Sequence, residues 1–68
     1  MADQLHYLLR LRQVKELTGL SRSWIYAAIR RGEFPAPISI GARAVAWTAA
    51  SIAEWQADRI DASKTASA

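Results

Sequence analysis

Leu17-Thr18-Gly19-Leu20-Ser21-Arg22-Ser23-Trp24-Ile25-Tyr26-Ala27-Ala28-Ile29-Arg30-Arg31-Gly32 is the stretch whose punctuation sets the architecture. Gly19 follows Val14 and Leu17, which fall at helical spacing, and a glycine just past a last turn supplies the left-handed conformation that closes a helix. A first short helix is therefore predicted from about Arg12 to Thr18. Ser21 stands in an N-cap position, its hydroxyl placed to accept from the backbone N–H of Ser23 or Trp24. A second helix runs on to about Arg31, where Gly32 ends it. Two helices joined by Gly19 and Leu20, the first about two turns long, match a helix-turn-helix in length and turn chemistry.

Working outward, Phe34-Pro35-Ala36-Pro37 cannot continue a helix, because each proline lacks an amide hydrogen and restrains the residue before it to extended geometry. Ile38-Ser39-Ile40 and Val45-Ala46-Trp47 alternate large apolar with small residues around Gly41-Ala42-Arg43-Ala44, which predicts a hairpin wing. Thr48 is placed to cap a third helix through about Ile60. On that helix Ile52, Trp55, Gln56 and the stem of Arg59 share one face, and Glu54 and Asp58 look outward. Upstream, Tyr7 to Leu11 reads as a short strand or an extended lead-in, and Met1 to Gln4 as a polar, frayed start. Asp61 to Ala68 has alanine as its one apolar type and reads as a disordered tail. The expected organisation is a lead-in over residues 1–10, a winged helix-turn-helix domain over 11–60 and a tail over 61–68, a mainly α fold with three helices and a small β-hairpin wing.

At 68 residues the chain holds one small core, and a domain of this size buries only about 60% of the surface its unfolded chain exposes. It has no cysteine, so neither a disulfide nor a thiolate metal site staples it, and three tryptophans carry much of the packing. The early apolar run Tyr7-Leu8-Leu9 is interrupted by Arg10, too short for a membrane span and without the order of a signal peptide. A cytoplasmic protein with no membrane association is expected. Net charge is +3, unevenly distributed: Arg10, Arg12, Lys15, Arg22, Arg30, Arg31 and Arg43 face only Glu16 and Glu33 in the middle segment, while the remainder is net acidic. A basic middle is the footprint of a protein that holds phosphates on one face, although arginines also simply solubilise surfaces.

At 100° per residue the second helix divides into an apolar side, with Ile25, Ala28, Ile29 and Ser21, and a basic one, with Arg22, Ser23, Tyr26, Ala27 and Arg30. The second side suits a DNA major groove, where arginine pairs bidentately with guanine and serine reaches a base or a phosphate. Ala27 allows close approach, and alanine is also the best helix former. Tyr26 has two readings, packing of its ring or a hydroxyl donated to phosphate. Arg30 and Arg31 sit in the last turn, where they favour the helix dipole whether or not they also hold phosphate. Trp24 lies on the flank, as a packing residue or a DNA-stacking one. Arg43, at the hairpin tip, is the site candidate outside the helix, since a guanidinium there reaches a phosphate or the minor groove; a solvated loop is the alternative. Trp47 and Trp55 are core candidates. His6 has no partner cluster for a metal, and Ser21 has no base at usable spacing, so no nucleophile is assigned.

The run Leu11 to Tyr26, followed by Gly32-Glu33-Phe34-Pro35, Arg43-Ala44-Val45-Ala46-Trp47 and Ile52-Ala53-Glu54-Trp55, resembles the AlpA-like phage and prophage regulators over about fifty residues. The ordered combination is far more specific than any piece of it. The family looks like a shortened MerR-type winged helix-turn-helix, and its members are similar in function to small transcriptional regulators and excisionases of mobile elements. The resemblance implies DNA binding through the segment holding Ser21, Arg22, Ser23 and Tyr26, with Arg43 on the wing. Trp24 stands where the family usually has threonine, and Ala27 where it often has a longer polar residue; both departures bear on base preference.

The expected function is that of an excisionase (recombination directionality factor), a transcriptional regulator, or both, binding double-stranded DNA and self-associating on repeated sites because one small module reads only a few base pairs. An integrase or RNA polymerase is the expected protein partner. The alternative is a protein-interaction module that docks its basic helix on an acidic partner. No paired carboxylates, metal cluster or phosphate-cradling glycine loop suggests an enzyme, a cofactor or a small-molecule substrate.

Overall fold

Gly19 and Gly32, with φ of +73° and +75°, bracket the second helix as their positions in the sequence require. A computed structural model of the chain describes residues 5–67. In chain order the elements are β1 (Leu8–Leu9), α1 (Leu11–Thr18), α2 (Arg22–Arg30), β2 (Ile38–Gly41), β3 (Ala44–Thr48) and α3 (Ala49–Ser67). The fold is mainly α, with three helices and a small antiparallel sheet whose β2–β3 hairpin is the wing. The polar start Met1–Gln4 and the terminal Ala68 lie outside the described residues.

Local chemistry explains each boundary. The Gln13 side-chain oxygen accepts from the Arg10 backbone N–H at 2.9 Å and opens α1. The Gly19 N–H donates to the Lys15 carbonyl at 2.8 Å and closes it. Ser21 Oγ accepts from the Trp24 N–H at 3.1 Å, the capping bond expected of serine at that position. At the far end the Gly32 N–H donates to Ile29 O at 3.0 Å and the Glu33 N–H to Ala28 O at 2.8 Å. That paired pattern is a Schellman motif, and it needs the left-handed residue that Gly32 supplies. Thr48 caps α3 as expected, its Oγ1 accepting from the Ser51 N–H at 3.1 Å while Ser51 Oγ donates back to Thr48 O at 2.9 Å.

Of the two readings of Tyr7–Leu11, the strand is realised over Leu8–Leu9 alone, and Leu11 already opens α1. Leu8 and Leu9 pair antiparallel with Thr48 and Trp47, so β3 is the centre of a three-stranded sheet in the order β1-β3-β2. A central strand backed by helices buries consecutive residues, and Ala46 and Trp47 are both buried. On the other side of β3, Ile38 pairs with Ala46, Ser39 with Val45 and Gly41 with Ala44, which leaves Ile40 as the extra residue of a β-bulge.

The core consists of Leu9, Val14, Ile25, Ala28, Phe34, Ala46, Trp47 and Ile52. Both tryptophan candidates pack there in different ways. Trp47 is fully enclosed, and its Nε1–H donates to the Pro35 carbonyl at 2.8 Å. Trp55 is half-buried at the core's edge, and its Nε1–H donates to the Glu33 carbonyl at 3.0 Å. The two indoles thus tie down the connection after α2, where the prolines stop the chain from forming its own ladder. Gln56 donates to the Leu17 carbonyl at 3.1 Å and fastens α3 to the end of α1.

One expectation is corrected. The helix predicted to end at Ile60, with a disordered tail after it, continues through Ser67. From Ala49 onward there is neither glycine nor proline and alanine is frequent. Once the first turns are anchored by packing, each further residue adds a hydrogen bond without a new nucleation cost. Low apolar content means that this extension has no core to join; it does not stop the helix.

Candidate nucleic-acid interface

α2 is amphipathic in the sense its sequence predicts. Ile25 and Ala28 are fully buried and Ile29 packs against the core, while Arg22, Ser23 and Arg30 are exposed on the opposite side. Along about 13 Å of helix, Arg22, Ser23, Tyr26 and Arg30 line one shallow concavity of about 460 Å³. The first turn carries backbone N–H groups without intrahelical partners and the positive end of the helix dipole, so the basic face begins where an anion is already favoured. Tyr26 is half-buried against the core, and the Arg22 Cζ lies 5.6 Å from its ring centroid.

The other candidates are placed differently. Ser21 adjoins the concavity in sequence but spends its Oγ on the cap. Ala27 is half-buried, one residue beyond Tyr26, and does not line the hollow. Arg31 is the C-terminal cap residue of α2, and its Nε donates to Glu33 Oε1 at 3.0 Å, so its charge is partly compensated within the protein. Arg43 is exposed in the turn between β2 and β3, as the wing reading requires.

Trp24 joins an aromatic cluster on the flank of α2. Its ring meets Phe34 edge-on with centroids 6.4 Å apart and Trp55 at the same separation, while Phe34 and Trp55 lie 4.9 Å apart. The indole remains 36% exposed, so it packs on one side and presents the other. Phe34 lies in a stretch whose prolines mark it in the sequence only as a turn. The signal that it is structural was the Gly-x-Phe-Pro order itself, which sends one large apolar residue back toward the helix just ended. Among the described residues no group of three or more His, Cys, Asp or Glu side chains is placed to hold a metal, and no helix is long and apolar enough to cross a membrane.

This geometry coincides with a family match. The sequence model described as "Prophage CP4-57 regulatory protein (AlpA)" matches residues 7–60, which run from the residue before β1 into α3 and take in both helices of the helix-turn-helix and the wing. The chain belongs to the AlpA family of phage regulatory proteins. It is also 50% identical over 52 residues to the uncharacterized protein ORF88 of Enterobacteria phage P4. That alignment takes in 76% of this chain and 59% of the phage protein's length. The AlpA match ends at Ile60, inside α3, so the last turns of that helix lie beyond the family's shared region.

Proposed function

We propose that this AlpA family protein regulates a mobile genetic element by binding double-stranded DNA, with α2 in the major groove and the wing against the flanking backbone. The observation that carries the reading is the convergence of Arg22, Ser23, Tyr26 and Arg30 on one exposed face, directly behind which Ile25 and Ala28 are locked into the core. A rigidly backed basic helix face is what a groove reader needs.

In this reading Arg22 pairs with guanine and Ser23 reaches a base or phosphate near the helix N-terminus. Ser21 holds the first turn, Ala27 keeps the middle of the helix low enough for close approach, and Arg30 and Arg31 face phosphates. Arg43 extends the contact across the backbone or into the minor groove. One module of this size specifies few base pairs, so several copies assemble on repeated sites. The cytoplasmic role is that of an excisionase acting beside an integrase, a regulator acting on RNA polymerase, or both.

The test is a salt titration on random and cognate duplexes. About five phosphate contacts give a log-log slope of affinity on salt near −4 to −5. Footprinting of the DNA flanking the gene then separates the two roles. Clustered direct repeats beside a recombination site mark an excisionase, and an inverted pair at a promoter marks a conventional regulator. An absence of affinity for genomic fragments in dilute buffer overturns the reading.

A further inference from the structure

Arg22 and Tyr26 are four residues apart on α2 and share its exposed face. Helical side chains lean toward the N-terminus, which lays the ring at 26 over the turn that carries 22. The Arg22 Cζ lies 5.6 Å from the Tyr26 centroid, inside the cation–π range. The ring is the fixed partner, since Tyr26 packs against the core while Arg22 is exposed.

Arg31 offers a contrast two turns away. Its guanidinium donates Nε–H to Glu33, which occupies a donor and offsets the charge. An aromatic face holds a guanidinium through the ring quadrupole and leaves the in-plane N–H groups unspent. Those donors are the ones that address guanine O6 and N7 together. Among the described residues the cation–π pairs are Arg22–Tyr26 and Arg59–Trp55, so Arg30, on the same face as Arg22, has no such support.

We infer that Tyr26 is a positioning residue, whose ring preorganises the Arg22 guanidinium for base readout, so that sequence specificity resides in the first turn of α2 and Arg30 serves the backbone. This rests on the DNA-binding reading above. It assigns the ring, rather than the hydroxyl, as the part of Tyr26 that matters for discrimination.

The experiment selects from a pool of randomised DNA duplexes with the wild type, Tyr26→Phe and Tyr26→Leu, and reads the preference for guanine over other bases at each enriched position. The wild type enriches a motif with a fixed guanine. Tyr26→Leu lowers that preference by about two- to fivefold, the value of an exposed cation–π contact, and Tyr26→Phe restores it. NMR of the free wild-type protein supplies a readout without DNA or mutation: the Arg22 side-chain protons are shifted upfield by the ring relative to those of exposed Arg12. The inference is overturned by Arg22 shifts equal to those of Arg12. Full discrimination in Tyr26→Leu, or a loss in Tyr26→Phe equal to that in Tyr26→Leu, overturns it as well. A wild type that retains no duplex at all removes the DNA-binding reading and the positioning role with it, whereas one that retains duplexes without enriching a motif removes the positioning role alone. A wild-type motif retained by a folded Tyr26→Leu removes the positioning role alone.

Discussion

α2 pairs a buried face with an exposed one, whereas β2 has no buried residue: Ile25 and Ala28 are 0% exposed, while Ile38 and Ile40 remain 45% and 44% exposed. The difference follows from what backs each element. α2 lies over Val14, Phe34 and Trp47 in one core cluster. β2 is an edge strand whose partner β3 turns its large side chains toward the helices, so the wing is held chiefly by ladder hydrogen bonds, which the bulge at Ile40 interrupts. The helix-turn-helix is thus the rigid half of the candidate interface and the wing the compliant half. In the proposed reading, base recognition falls on the rigid half and sequence-independent contact on the other.

Four pairs of substitutions probe that contrast. The largest expected effect is on packing. Ile25→Ala costs about 2–5 kcal/mol through lost burial and the cavity left behind, whereas Ile40→Ala, half-exposed on the wing, costs under about 1 kcal/mol. Chemical denaturation of both variants checks this, and equal midpoints contradict the rigid–compliant distinction.

Next comes binding. Arg22→Ala is expected to lose about 1–3 kcal/mol on a preferred sequence and much less on random DNA, while Arg43→Ala weakens every sequence alike. Titration of both variants against both duplexes decides it, and a loss for Arg22→Ala that is identical on all sequences removes its readout role.

The glycines give a smaller, purely conformational comparison. Gly32→Ala forces a Cβ into the left-handed region at φ +75° with nothing else within 4 Å, a cost of about 1–2 kcal/mol. Gly41 has no such φ, and a Cβ there meets Ala44 Cβ at an ordinary 3.7 Å. Gly41→Ala is therefore expected within about 0.5 kcal/mol of the parent. Thermal melts that rank Gly41→Ala as the worse variant reverse the assignment of strain.

The smallest pair concerns hydroxyls. Ser21→Ala removes the α2 cap for about 1 kcal/mol. Ser39→Ala loses only an exposed bond from Oγ to Gly41 O at 3.2 Å, and a change of a few tenths of a kcal/mol is expected. Hydrogen exchange at the Trp24 amide is the sensitive probe of the first, since that N–H is the one Ser21 holds.

Legibility in the sequence tracked how local the deciding physics is. Ser21, Gly19, Gly32 and Thr48 act on their immediate sequence neighbours, and the end of α1, both ends of α2 and the start of α3 were readable from them. The division of α2 into faces was equally plain, because helical periodicity places side chains regardless of partner. The third strand was only half-readable: Leu8 and Leu9 become β1 because β3 arrives from about forty positions away with an open edge. Phe34 was not legible as a packing residue for the same reason, since its partner Trp55 belongs to α3, and only that cluster selects packing from the two readings of Trp24. In the tail, low apolar content predicts disorder while the lack of helix breakers permits a helix, and the packed start of α3 is what favours the helix there.

Composition and spacing alone determined that the chain makes two short helices around a tight turn, a hairpin and a further helix, and that its cations gather in the middle. Those properties depend on hydrogen bonds and torsions within a turn or two. The tertiary structure decided that β3 lies at the centre of a sheet, that two indole N–H groups anchor the connection after α2, and which arginines stay engaged within the protein. Arg31 goes to a carboxylate and Arg22 to a ring. Such choices depend on which groups meet through space, and a one-dimensional pattern records only the distance along the chain.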